Sequence, residues 1–124
     1  MGLDMYAYTA AQANTEYDNQ REIAYWRKHP NLHGWMQHLW DRKGRPGIPA
    51  DVSNPMFNGV EVELTWEDID NLEQVIRHQL LPATSGFFFG DSADDHYYES
   101  DMEFIRKARA ELFMGLKVFY NSSW

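Results

Sequence analysis

The strongest constraint on the fold is an apolar stripe, Ile69, Leu72, Val75, Ile76 and Leu80. Steps of three and four residues put these side chains on one face of a helix. Thr65 with Asp68 three residues on has the form of a capping box, and Pro82 stands where a helix must stop. A helix with a single apolar face has to cover it with another layer. The segment just before it offers one. Residues 60–64 read Val-Glu-Val-Glu-Leu, the period-two alternation of a strand buried on one side.

The other elements follow from the same two periods. Residues 3–8 alternate weakly and read as a first strand. Residues 15–29 read as a helix with Ile23, Trp26 and Tyr17 inward, stopped by Pro30. Asn31 is placed to cap a second helix carrying Leu32, Trp35, Met36 and Leu39, which Gly44 closes. Residues 44–58 hold two glycines and three prolines in close order and read as a loop. Ser100-Asp101-Met102-Glu103 has the capping-box form and opens a helix with Met102, Ile105, Ala108 and Leu112 inward, closed by Gly115. Residues 116–120 read as the last strand. The expectation is one α+β domain over residues 1–124, a sheet of about three strands packed on about four helices.

Composition bounds the function. Aromatic residues make up 15% of the chain, too many for a disordered segment. There is no cysteine, which excludes disulfides, thiolate nucleophiles and Cys-ligated metal. The net charge of −8 argues against nucleic acid, whose phosphates demand a surplus of cations. No apolar run approaches the length of a membrane span, and no basic segment followed by an apolar one marks a secretory signal. A cytoplasmic protein is expected. Charge is unevenly distributed, with Arg21, Arg27, Lys28, Arg42, Lys43 and Arg45 in one stretch and Asp91, Asp94, Asp95, Glu99, Asp101 and Glu103 in another.

Few motifs carry chemistry. Gly86-Phe87-Phe88-Phe89-Gly90-Asp91 cannot place all three rings on one side of a strand, so at least one faces a second surface, where it either packs or lines a ligand slot. It is no phosphate loop. The acidic stretch from Asp91 fails the calcium-loop pattern, with His96 where glycine is required and Met102 where glutamate is required. His29 and His33 are separated by Pro30, no HExxH occurs, and no serine lies in a GxSxG elbow. No metal or cofactor is expected. The segment Tyr25-Trp26-Arg27-Lys28 followed by Leu32-His33-Gly34-Trp35 is the better candidate. Arg and His donate to anions, and Trp and Tyr stack on planar groups. The alternative is that these rings are simply core.

Several of these segments together carry a resemblance. The opening Met-Gly-Leu-Asp-Met-Tyr, Tyr-Trp-Arg-Lys at 25–28, Leu-His-Gly-Trp-Met at 32–36, Leu-Leu-Pro at 80–82 with Gly-Phe-Phe-Phe-Gly at 86–90, Tyr97-Tyr98 with Asp101, and the closing Tyr-Asn-Ser-Ser-Trp resemble a family of small uncharacterised proteins of tailed phages, cyanophages among them, and of bacteria. Some members carry a phosphoglycerate-kinase label, which a chain this short and without a phosphate loop does not support. The resemblance implies a phage or bacterial origin and a site built from the motif residues. It carries no activity and no catalytic residue.

The reading favoured on these grounds is a small accessory protein that binds an anionic or planar ligand such as a nucleotide. Arg27, Lys28 and His33 would hold the anion, and Trp26, Trp35, Phe88, Tyr97 and Trp124 would supply stacking. Two other readings stand beside it. One is an interaction module or inhibitor that meets a host protein through the acidic stretch 91–103. The other is a small hydrolase-type enzyme using His33 or His78 with Asp91 or Asp101. A homodimer is compatible with all three. The first and last strands are expected side by side, which would bring the C-terminal residues to a sheet end.

Overall fold

A computed structural model describes residues 3–10, 21–48, 56–82 and 94–124. The elements run β1 (Asp4–Ala10), β2 (Arg21–Arg27), α1 (Pro30–Arg42), β3 (Val62–Leu64), α2 (Trp66–Arg77), α3 (Asp94–Phe113) and β4 (Lys117–Ser123). The four strands form one antiparallel sheet in the order β2-β1-β4-β3. The class is α+β as expected, with four strands and three helices among the described residues rather than about three and four.

The first and last strands are central and pair along their full length, from Asp4 opposite Ser123 to Ala10 opposite Lys117. Met5, Ala7, Val62, Leu64, Val118 and Tyr120 point to one face and are fully buried beneath Leu32, Met36, Ile69, Leu72, Ile105 and Ala108 of the helices. Burial of a large apolar side chain contributes about 1.5–3 kcal/mol, so this one layer dominates the stability.

The segment expected to be a helix over 15–29 is a strand where the structure describes it. Ile23 and Trp26, three apart and both buried, mimic a helical stripe. The cause is a bulge. Ala7 pairs with Ala24 and Tyr8 with Glu22, so Ile23 is the extra residue of β2 and turns inward beside the regular inward pair. Residues 15–20 lie outside the described residues.

Three helix boundaries also differ from expectation. Pro30 opens α1 at its first position, where its missing N–H costs nothing, and His29 rather than Asn31 is the N-cap. The capping box of Thr65 and Asp68 forms as read, but α2 ends at Arg77. Gln79 follows in the left-handed region at φ 55°, and Leu80 is 67% exposed rather than inward. Helix α3 begins at Asp94, six residues before Ser100, whose hydroxyl donates to the Tyr97 carbonyl inside the helix. Its buried face is Asp101, Phe104, Ile105 and Ala108, with Met102 and Leu112 at the flanks. Gly115 takes the left-handed turn at φ 86° that closes it.

Candidate functional site

The corner between β2 and α1 holds the most chemistry. Strand β2 ends at Arg27, and Lys28 turns the chain through the left-handed region at φ 57°, which few residues other than glycine adopt. The turn is anchored from two sides. The Lys28 amide donates to the Leu3 carbonyl at 2.8 Å, and the Tyr97 hydroxyl reaches the Arg27 and Lys28 carbonyls at 3.1 and 3.0 Å.

Tyr97 comes from the first turn of α3, and Asp101 lies four residues on, on the same face. The Tyr97 ring stacks on His29, with centroids 4.0 Å apart and planes 9° from parallel. Beneath it, Asp101 takes two donors. Trp26 Nε1–H donates to Oδ1 at 3.0 Å, and His29 Nε2 lies 2.9 Å from Oδ2. An ionised carboxylate only accepts, so Nε2 carries the proton. Trp26, His29 and Asp101 are all buried, and Trp26 meets Phe104 edge-on at 5.1 Å. Among the described residues His29 Nδ1 has no hydrogen-bond partner. Burial and then the Asp101 charge push the Tyr97 phenol above its ordinary value.

The side chains of Arg27 and Lys28 stand exposed at this corner, and neither forms an ion pair with a described residue. Other cations differ. Arg21 binds Glu111 at 2.5 Å, Lys43 binds Asp68 at 2.5 Å, and Arg109 bridges Asp70 and Glu73 at 2.7 and 2.5 Å.

A second aromatic group forms one turn further along α1. His33 Nδ1 and the Tyr120 hydroxyl are in hydrogen-bond contact at 2.7 Å. Phe57 stacks between His33 at 5.2 Å and Trp40 at 5.0 Å, and Trp124 approaches His33 edge-on at 6.4 Å. The last residue is tied down. Trp124 Nε1–H donates to the Phe57 carbonyl at 3.1 Å, and Asn58 exchanges two hydrogen bonds with the Trp124 backbone. Burial pushes His33 down to about 4, so its imidazole is neutral at pH 7, while burial pushes Tyr120 well above its ordinary value.

The expected site residues therefore divide. Trp26, Arg27, Lys28 and Tyr97 meet at the corner. His33 and Trp124 belong to the second group, Trp35 is buried on α1 at 8% exposure, and Phe88 lies outside the described residues. A buried neutral His33 is poorly suited to holding an anion. Asp101 is interior rather than part of an acidic surface, and Glu103 is engaged by Arg106. Asp91 lies outside the described residues. His29 and Asp101 are the partners that sequence reasoning undervalued. Their signal was there, in a histidine immediately before a helix-opening proline and an aspartate four residues after Tyr97.

Among the described residues no group of three or more His, Asp or Glu side chains is placed to hold a metal ion. No helix among the described residues is long and apolar enough to cross a membrane. Comparison with family models, with curated proteins and with solved structures finds no match.

Proposed function

We propose that the β2–α1 corner binds a small anionic ligand with a planar group, of the nucleotide or phosphorylated-metabolite class. The observation that carries this is the pair of adjacent exposed cations, Arg27 and Lys28, uncommitted among the described residues and set on a left-handed turn. Strain of this kind is kept where the surroundings hold it, and it recurs at ligand sites. Here Tyr97, His29 and Asp101 hold it. Arg27 supplies a planar fork and Lys28 a point charge for an anion, and the half-buried Tyr97 ring offers a stacking edge. On the motif resemblance alone, the setting would be the cytoplasm of a bacterial cell, with the chain phage-encoded or bacterial.

The experiment is a thermal-shift screen of nucleotides and phosphorylated metabolites, repeated on Arg27→Ala and Lys28→Ala. At a ligand concentration of 100 Kd, binding stabilises by about 2.7 kcal/mol. Both variants should keep the unliganded Tm and lose that shift. A panel without a hit, or a hit that survives both substitutions, would refute the proposal.

A hydrolytic reading has one observation in its favour, the His29–Asp101 pair. His29 is 0% exposed. An imidazole sealed from solvent holds its neighbours in place rather than meeting a substrate.

A further inference from the structure

The sheet has a second face, turned away from the helices, and it is not neutral. Register across β3, β4 and β1 aligns Glu63, Phe119 and Tyr8 in one row on that face. Tyr8 and Phe119 stack at 5.7 Å, and the Tyr8 hydroxyl donates to Glu61 Oε2. Beside this row a groove of about 390 Å³ opens, lined by Lys43, Pro46, Gly47, Glu61, Glu63 and Phe119. That volume is within the usual range for small-molecule sites.

Its walls are set by the fold. Trp40 Nε1–H donates to the Pro46 carbonyl at 3.0 Å, which fixes the turn after α1, and Gly47 takes φ 87°, a conformation that favours glycine. The Lys43 ammonium is already committed, donating to the Glu63 carbonyl at 2.6 Å and to Asp68 at 2.5 Å. Lys117 stands 3.9 Å from Glu63. Glu61 has no cation within ion-pair distance among the described residues. The groove thus combines a border of the largely buried Phe119, one charge-uncompensated carboxylate and a second carboxylate 42% exposed, on a chain of net charge −8.

We infer that this groove is a binding site for a small planar organic cation of the guanidinium or amidinium class. Such a cation directs paired N–H donors at the Glu61 carboxylate and meets the part of Phe119, 7% exposed, that borders the groove. Aliphatic ammonium ions match the charge and lack the planar pair of donors. The site lies at the β3 edge of the sheet and the proposed anion corner at the β2 edge, three strand spacings or roughly 14 Å away. The two proposals stand independently.

The test is calorimetric titration of the intact protein with benzamidine and with agmatine at low ionic strength, on the native chain, Glu61→Gln and Glu99→Gln. Glu99 is exposed on α3, so its substitution removes the same unit of charge elsewhere. Native protein and Glu99→Gln should bind one equivalent, with Glu61→Gln weaker by about tenfold or more, the loss of one charge-assisted hydrogen bond. In the native protein the amide signal of Gly47 and the ring signals of Phe119 should shift with the same saturation curve. Absence of saturable binding, equal weakening in both variants, or shifts confined to other residues would overturn the site.

Discussion

Replacing Asp101 by alanine should expose how much of this small fold hangs on one carboxylate. The side chain is 2% exposed and accepts from Trp26 Nε1 at 3.0 Å and His29 Nε2 at 2.9 Å. Asp101→Ala leaves two buried donors unanswered. An unsatisfied buried donor costs about 1–3 kcal/mol, so two cost about 2–6 kcal/mol. The expected loss is about 2–6 kcal/mol, a large share of the 5–15 kcal/mol that holds a typical domain folded. Asp101→Asn separates shape from charge. Its carbonyl can still accept from Trp26, and its amide can donate to His29 in the other tautomer, so the loss should be about 1–2 kcal/mol. Urea unfolding followed by tryptophan fluorescence and by circular dichroism gives both numbers, with Glu99→Ala as an exposed control expected within about 0.5 kcal/mol of native. A loss below about 1 kcal/mol for Asp101→Ala would refute the view that this network anchors β2, α1 and α3 to one another.

Two further predictions follow from the packing. His33, pushed down to about 4 by burial, stays neutral while the unfolded chain takes up a proton below the ordinary value of 6.5. Its contribution is complete above pH 6.5 and is lost as pH falls toward 4, amounting to about 3 kcal/mol. The ring signals of His33 in a magnetic-resonance titration should stay constant from pH 8 down to about 5, and a midpoint near 6.5 would contradict the buried placement. Thr65→Ala removes the hydroxyl that caps the Asp68 amide and should cost about 1 kcal/mol in urea unfolding, with Thr65→Ser recovering most of it. Full stability in Thr65→Ala would show that the cap contributes nothing.

Helix α2 was legible because both ends and its inward face are local features. Thr65 and Asp68 satisfy each other within one turn, and Ile69, Leu72 and Ile76 need only the helical period to align. Strand β2 was not, because Ile23 and Trp26 carry helical spacing for a reason that lies in the partner strand, the bulge opposite Ala7 and Tyr8. Leu80 continued the stripe of α2 on paper. In the structure the chain has already turned at Gln79, so Leu80 is left outside.

The site divides along the same line. Composition and motif spacing alone determined an acidic α+β domain without cysteine chemistry and pointed to the run from Tyr25 to Trp35. Tertiary structure alone decided what each side chain there does. Asp101 lies 72 residues from His29 and 75 from Trp26, and only the packing of α3 on the β2–α1 corner turns an acid of the charged stretch into a buried acceptor. The same packing turned His33 from a candidate anion ligand into a neutral core residue beside Tyr120. Local periodicity specifies which way a residue faces within its own element. Its charge state and partners depend on desolvation and on distant neighbours, which are properties of the assembled fold.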